Sequence, residues 1–240
     1  MKTVQQSHRD EFFLFDAERL PDAAAFSFDT GEWHRRGAVL GDAQGRGAAL
    51  FIRHEGEEYV LRHYHRGGLM GPLLGDRYLW TGLARTRAWR EWHLLARLRE
   101  MGLPVPQPLV ARVVRKGLVY RADLATARIS DARTLAQYLL AQRPTERFWQ
   151  AVGATIRRFH ARGVYHADLN AHNVLVDRAG RLHLIDFDRG RLRAPHPSWQ
   201  TANLNRFQRS LEKLRRLYPG LHYESADWPM VLRGYGRSWT

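Results

Sequence analysis

Two short stretches constrain this chain more than anything else in it: HADLNAHNVLVD, from His166 to Asp177, and LIDFDRG, from Leu184 to Gly190. Val174-Leu175-Val176 and Leu182-His183-Leu184-Ile185 are β-like, and Asp177-Arg178-Ala179-Gly180 between them is a turn signal. An antiparallel hairpin centred on Ala179/Gly180 pairs residue 174 with 185 and is expected to bring Asn173 opposite Asp186. Asp168 lies on the loop leading into that same end. One carboxylate (Asp186) with one amide oxygen (Asn173) suits Mg²⁺, a hard cation that takes few protein ligands and completes its shell with water and phosphate oxygens. Asp168 is then left to orient an attacking hydroxyl and accept its proton. This is the division of labour that phosphoryl transfer requires.

The histidines of the same stretch invite a metal cage. The spacing of His160, His166, His172 and His183 matches no common zinc-ligand pattern, however. His166 is expected to hold the loop, His183 to alternate with apolar strand positions, and His172 to be a loop residue within reach of substrate. With no cysteine in the chain, disulfides, zinc–thiolate sites and iron–sulfur clusters are excluded.

H-x-D-L-x-x-x-N, here His166, Asp168, Leu169 and Asn173, together with D-F-x at Asp186, Phe187 and Asp188, looks like the catalytic and metal-binding loops of the protein-kinase-like fold. That resemblance implies an upstream Gly-rich loop, a basic residue on a strand and a helix glutamate paired to it. In GDAQGRGAALFI, Gly45 and Gly47 fit the first role, without the usual third glycine. Val60-Leu61-Arg62 stands where V-A-I-K normally ends in Lys, so the phosphate-gripping residue is Arg62; arginine can bind oxygens through two bonds but does not replace lysine freely. Glu91, in TRAWREWHLLARL, is the expected partner. Adenine is expected against the backbone near Arg121 to Thr126. Ala167 replaces the arginine that in many protein kinases reads a phosphorylated loop, and no A-P-E follows Asp186. Regulation by loop phosphorylation and a protein acceptor are therefore not expected.

Elements placed along the chain agree with this order. Ala48–Arg53 and Tyr59–His63 read as strands. Thr86 to Met101 has helical period, with Trp89, Trp92, Leu95 and Leu98 in step and Gly102 as a stop. Pro104, Pro106 and Pro108 force an extended segment, and 110–114 with 117–120 read as a hairpin. A helix is expected over 131–142, capped by Ser130 or Asp131, and another from Pro144-Thr145 to Gly163 with Phe148, Trp149, Val152, Ile156 and Phe159 on one face. The expected fold class is α+β and bilobal: a β-rich lobe over 1–122 that binds nucleotide, and a mainly helical catalytic and acceptor lobe over 123–240, with a cleft between them.

The chain is strongly basic, with a formal net charge of +14, almost all of it arginine. Such a charge fits nucleic acid, phosphate-bearing metabolites or an anionic membrane leaflet. Met1 to Phe13 has no apolar run of the kind a secretory signal carries, and no stretch approaches the ~20 apolar residues of a membrane span.

Two more stretches, VLRHYHRGG (60–68) and GLPVPQP (102–108), taken with HADLNAHN and IDFDRGRLR, closely resemble the bacterial lipopolysaccharide kinase family that acts on 3-deoxy-D-manno-octulosonic acid (Kdo). The resemblance runs from about Trp33 to Leu217, and in that family an arginine at the position of Arg62 looks normal. It implies an ATP- and Mg²⁺-dependent kinase that phosphorylates a hydroxyl, the 4-OH, of Kdo on a Kdo–lipid A precursor at the cytoplasmic face of the inner membrane. No nucleic-acid partner is then expected. An anionic glycolipid acceptor suits Arg189, Arg191, Arg193, Arg206 and Arg209, although a solvated basic face accounts for the same run. The alternatives are a kinase of the same fold for another small acceptor, and an inactive anion-binding relative.

Overall fold

The computed structural model describes residues 1–43, 49–65 and 75–236. Gly45 and Gly47 lie outside the described residues. The chain forms a mixed α and β structure in two compact units, one of residues 1–97 and 106–128 and the other of 98–105 and 129–240.

The first unit is built on a sheet with eight strands among the described residues: β1 (Thr3–His8), β2 (Glu11–Asp16), β3 (Val39–Ala43), β4 (Ala49–His54), β5 (Glu57–His63), β6 (Tyr78–Leu79), β7 (Pro108–Lys116) and β8 (Val119–Ala127). They are ordered β1-β2-β7-β8-β5-β4-β3, and β6 pairs with β8 at the side. Every pairing is antiparallel, and two-residue turns join β1 to β2, β4 to β5 and β7 to β8. Successive strand residues face opposite sides, so β5 divides its side chains cleanly. Tyr59 and Leu61 join a core with Phe13, Phe15, Phe26, Trp33, Ile52 and Val110. Arg62 and Tyr64 belong to the opposite set. A short helix, α1 (Thr30–Arg35), is started by the Asp29 side chain accepting from Gly31 N–H, and it carries Trp33 into that core.

Helix α2 (Arg87–Glu100) follows, with Trp89, Trp92, Leu95 and Leu98 buried as its period requires and Gly102 in the left-handed region (φ +68°) just beyond its end. β8 runs unbroken through the division expected at 122/123, because its residues to Ala127 pair with β5; the first unit ends only at Arg128.

In the second unit the helices are α3 (Leu135–Ala141), α4 (Glu146–Ala161), α5 (Pro197–Leu217) and α6 (Trp228–Tyr235). Helix α3 starts later than the sequence indicates. Arg133 and Thr134 form a short strand, β9, that pairs with Val176 and Leu175, and Thr134 then caps α3 in a reciprocal box with Gln137. Helix α4 opens where expected, capped by the Thr145 side chain, and buries Trp149, Val152, Ile156 and Phe159. It packs on α6 through two glycines: a Cβ at Gly153 would sit 1.9 Å from the Val231 carbonyl oxygen, and one at Gly234 1.9 Å from that of Gln150. The backbones touch where side chains would otherwise hold them apart.

The remaining strands are β10 (Val164–Tyr165), which pairs with β13 (Arg191–Leu192), and β11 (Val174–Val176) with β12 (Leu182–Leu184). The segment before β7 belongs here because Leu184 N–H donates to the Pro104 carbonyl and Arg158 to that of Gly102.

Candidate active site

The loop from His166 to Asn173 is tied by its own polar side chains. His166 is buried, and its Nε2 lies 2.9 Å from the Ile185 carbonyl oxygen while its Nδ1 is 3.2 Å from the Asp168 backbone nitrogen. A carbonyl can only accept and a backbone N–H can only donate, so the ring carries its proton on Nε2 and is neutral. Burial also pushes the imidazole below its ordinary value, which agrees with the neutral form. The ring rests on Phe187 (centroids 4.7 Å apart), which in turn stacks on Phe159 of α4. One histidine thus links the Asp168 loop to the residue preceding Asp186.

Asp168 is exposed. Asn170 Nδ2 donates to its carboxylate Oδ2 (3.1 Å) and to its carbonyl (3.0 Å), while Asn170 Oδ1 accepts from the backbone N–H groups of His172 (2.8 Å) and Asn173 (3.2 Å). Asn170 therefore organises the loop, a role the sequence reading did not give it; an Asn two residues after Asp168 is the available signal, since Asn favours such local turns. Asn173 is buried, and its Nδ2 donates to the Asp168 carbonyl at 2.9 Å. His172 is exposed on the loop, as expected.

The hairpin that follows is one residue out of the expected register. Val174 pairs with Leu184 and Val176 with Leu182, so Asn173 stands opposite Ile185, whose N–H it accepts at 3.0 Å; Asp186 comes one residue later. The cause is Asp177. Its carboxylate accepts from Ala179 N–H, Arg181 N–H and Arg181 Nε, all within 2.9 Å, and its own N–H donates to the Arg181 carbonyl, which closes a three-residue loop with Gly180 at φ +76°. His183 alternates with buried Leu182 and Leu184 and reaches Asp177 at 3.1 Å. Burial raises the Asp177 carboxyl, but these donors outweigh it and hold the group at about 2.

Past Ile185 the chain turns at once. Asp186 takes a left-handed conformation (φ +61°), tolerable for Asp, and Phe187 drops into the core. Asn173 and Asp186 thus offer an amide oxygen and a carboxylate from one end of the hairpin. Among the described residues no three His, Asp or Glu side chains gather into a cage. The donor set fits a hard cation that takes one carboxylate and keeps water and phosphate oxygens.

Helix α5, not singled out from the sequence, presents one face to this loop. Asn203 Oδ1 accepts from His166 N–H (3.3 Å), and Ser210 Oγ accepts from Ala171 N–H (3.1 Å) while donating to the Phe207 carbonyl. Between them Arg206 Nη1 is 3.8 Å from Asp168 Oδ1. Positions 203, 206, 207 and 210 are one helical stripe.

In the first unit, Arg62 and Glu91 form the expected ion pair, with Glu91 3% exposed. Tyr64 completes it: its hydroxyl donates to Glu91 Oε2 (2.6 Å) and accepts from Arg62 (3.0 Å), and its ring lies under the Arg62 guanidinium at 4.7 Å. Burial, and then the Glu91 charge, push the phenol well above its ordinary range, so it stays a donor. Tyr64 lies two residues after Arg62 and so shares its side of the chain, but which face of the sheet meets α2 is not written in the sequence. The segment expected to meet adenine, residues 121–126, is not a linker between the units: it lies inside β8, paired with β7 throughout and with β5 from Asp123 onward.

Residues 31–235 match the family model described as the lipopolysaccharide kinase (Kdo/WaaP) family. Among similar proteins, a 3-deoxy-D-manno-octulosonic acid kinase of Stenotrophomonas maltophilia is 44% identical over 228 residues, covering 95% of this chain and 90% of that protein. Proteins of the same description from Xanthomonas axonopodis pv. citri and Photobacterium profundum are 47% identical over 203 residues (84% of this chain, 80% of the relative) and 40% identical over 221 residues (92% and 93%).

Proposed function

This chain belongs to the lipopolysaccharide kinase (Kdo/WaaP) family, and on that premise we propose that it is a Kdo kinase, transferring the γ-phosphate of ATP to the 4-OH of Kdo on a Kdo–lipid A precursor during lipopolysaccharide core synthesis. The observation that carries the reading is the single neutral imidazole of His166, which joins the loop of Asp168 and Asn173 to the turn of Asp186. In this reading the two units are the two lobes of a protein-kinase-like fold, the first for nucleotide and the second for acceptor.

Asp168 orients the acceptor hydroxyl and takes its proton as the oxygen bonds to the γ-phosphorus. The bond from that phosphorus to the bridging oxygen breaks, ADP leaves, and Asp168 returns the proton to solvent. Arg62, held by Glu91 and Tyr64, grips phosphate oxygens of the nucleotide. Asn173 and Asp186 would hold Mg²⁺, which would supply neutralisation of the phosphate charge.

The acceptor places the protein at the cytoplasmic face of the inner membrane. A net charge of +14 favours an anionic leaflet, and no helix among the described residues is long and apolar enough to cross a membrane. The test is an acceptor screen with ATP and Mg²⁺ in detergent, Kdo–lipid A precursor against soluble sugars, choline and aminoglycosides. Phosphate uptake by the Kdo lipid is expected; uptake by soluble acceptors alone refutes the assignment.

A further inference from the structure

The five arginines that suit an anionic acceptor do not behave alike. Arg191 and Arg193 lie over the ring of Tyr165 (5.4 and 5.1 Å), Arg193 also over Trp199, and Arg189 is 3.7 Å from Asp188. Arg206 alone among them lies against Asp168, the residue assigned as base. It is not placed there by chance of a long side chain on a loose element, because its neighbours on the α5 stripe, Asn203 and Ser210, are hydrogen-bonded to the backbone of the same loop. The acidic residue of α5, Glu212, is turned elsewhere, to Arg215, Tyr223 and Ser225.

We propose that Arg206 recognises the carboxylate of the acceptor sugar acid, the Asp168–Arg206 pair being a resting contact that the acceptor's own carboxylate replaces. This rests on the reading of the acceptor as Kdo. Two observations favour exchange over a permanent structural pair. Arg206 and Asp168 are 46% and 63% exposed, and their single contact is long at 3.8 Å. Such a pair contributes little to stability. A bound carboxylate can instead take the guanidinium fork through two short bonds, which is the stronger arrangement. Meanwhile Asn170 keeps hold of the other carboxylate oxygen, so Asp168 stays in place when Arg206 turns away. The exchange would put the carboxylate of the sugar ring beside the base and leave Asp168 Oδ1 for the ring hydroxyl. Specificity for an acidic sugar and exposure of the base then come from one residue.

The experiment compares acceptors that carry the Kdo carboxylate with the same acceptors converted to the neutral amide, on the wild-type protein, R206L and R206K. Wild-type protein is expected to prefer the acid by roughly 10- to 100-fold in kcat/KM, the range of a charge-assisted contact. R206L should lose that preference, with the loss in acceptor KM and the KM for ATP unchanged; R206K should keep part of it. Nucleotide binding and thermal melting report whether each variant is folded, and if R206L is not, a reduced acid preference in R206K carries the same conclusion. Undiminished preference in a folded R206L, or in R206K when R206L does not fold, overturns the proposal. Failure of the wild-type protein to phosphorylate either acceptor instead removes the Kdo reading on which it rests.

Discussion

Replacing His166 by phenylalanine isolates the clamp on which the site depends. The phenyl ring fills nearly the same space and can keep the contact with Phe187 at 4.7 Å, so no sizeable cavity opens. What disappears is a pair of hydrogen bonds, at 2.9 Å to the Ile185 carbonyl and 3.2 Å from Asp168 N–H. Ile185 is half-buried and Asp168 exposed, so each loss belongs near the lower end of the ~1–3 kcal/mol range for an orphaned group, about 2–3 kcal/mol together. For a chain of this size that lowers Tm by about 4–12 °C. Turnover should fall by about 100-fold, because a displacement of the base by about an ångström has that effect. The variant also tests the protonation state. Folded His166 has a lowered pKa, so the wild-type protein should lose stability as pH falls below the ordinary value of 6.5, where the unfolded chain binds a proton the folded one resists. H166F should show a shallower slope there. Thermal melts from pH 5 to 8 and steady-state rates at pH 8 read all three effects. An H166F protein with wild-type Tm, slope and rate would mean that the imidazole holds nothing.

Other expected outcomes concern separate parts of the molecule. Y64F removes the donor from a buried carboxylate, and a hydrogen bond to a charged group is worth about 1.5–3 kcal/mol, so unfolding stability should drop by that amount and KM for ATP should rise several-fold; an unchanged KM would detach Tyr64 from the Arg62–Glu91 pair. G153A or G234A should abolish soluble folded protein, since each new Cβ meets a carbonyl oxygen at 1.9 Å, whereas G220A, with no φ strain and nothing within 4 Å, should melt like the parent. Asp177, held at about 2, contributes stability that is fully present above about 3.8 and is lost as pH falls towards 2. D177A should remove that acid transition and cost about 1–2 kcal/mol at neutral pH after allowance for solvent screening, as read by urea unfolding.

The sequence carried the site's parts better than their registration. Helices α2 and α4 were visible because Trp89, Trp92, Leu95 and Leu98, and likewise Trp149, Val152, Ile156 and Phe159, repeat at helical spacing and end at glycine. The hairpin's existence was equally clear, but its register depended on Asp177 folding its carboxylate back onto the turn, a side-chain contact that strand pattern does not encode. The start of α3 was misplaced for a related reason: pairing of Arg133 and Thr134 with β11 takes two residues that propensity alone assigns to helix. Strand β1 is almost wholly exposed and so lacks the alternation by which strands are recognised. On α5, Asn203 and Ser210 interrupt the apolar stripe that marks a buried face, although they are the residues that dock it. Arg62 and Glu91 were legible as a pair; their third member, Tyr64, required knowing which face of β5 met α2.

The most direct test of the account is mass spectrometry of a Kdo–lipid A precursor after incubation with ATP, Mg²⁺ and either the wild-type protein or D168A. Wild-type protein should add the mass of one phosphate to the Kdo unit, and D168A should reduce the rate at least 100-fold while still folding and binding nucleotide. Phosphate gained on another part of the lipid, or gained equally with D168A, would contradict it.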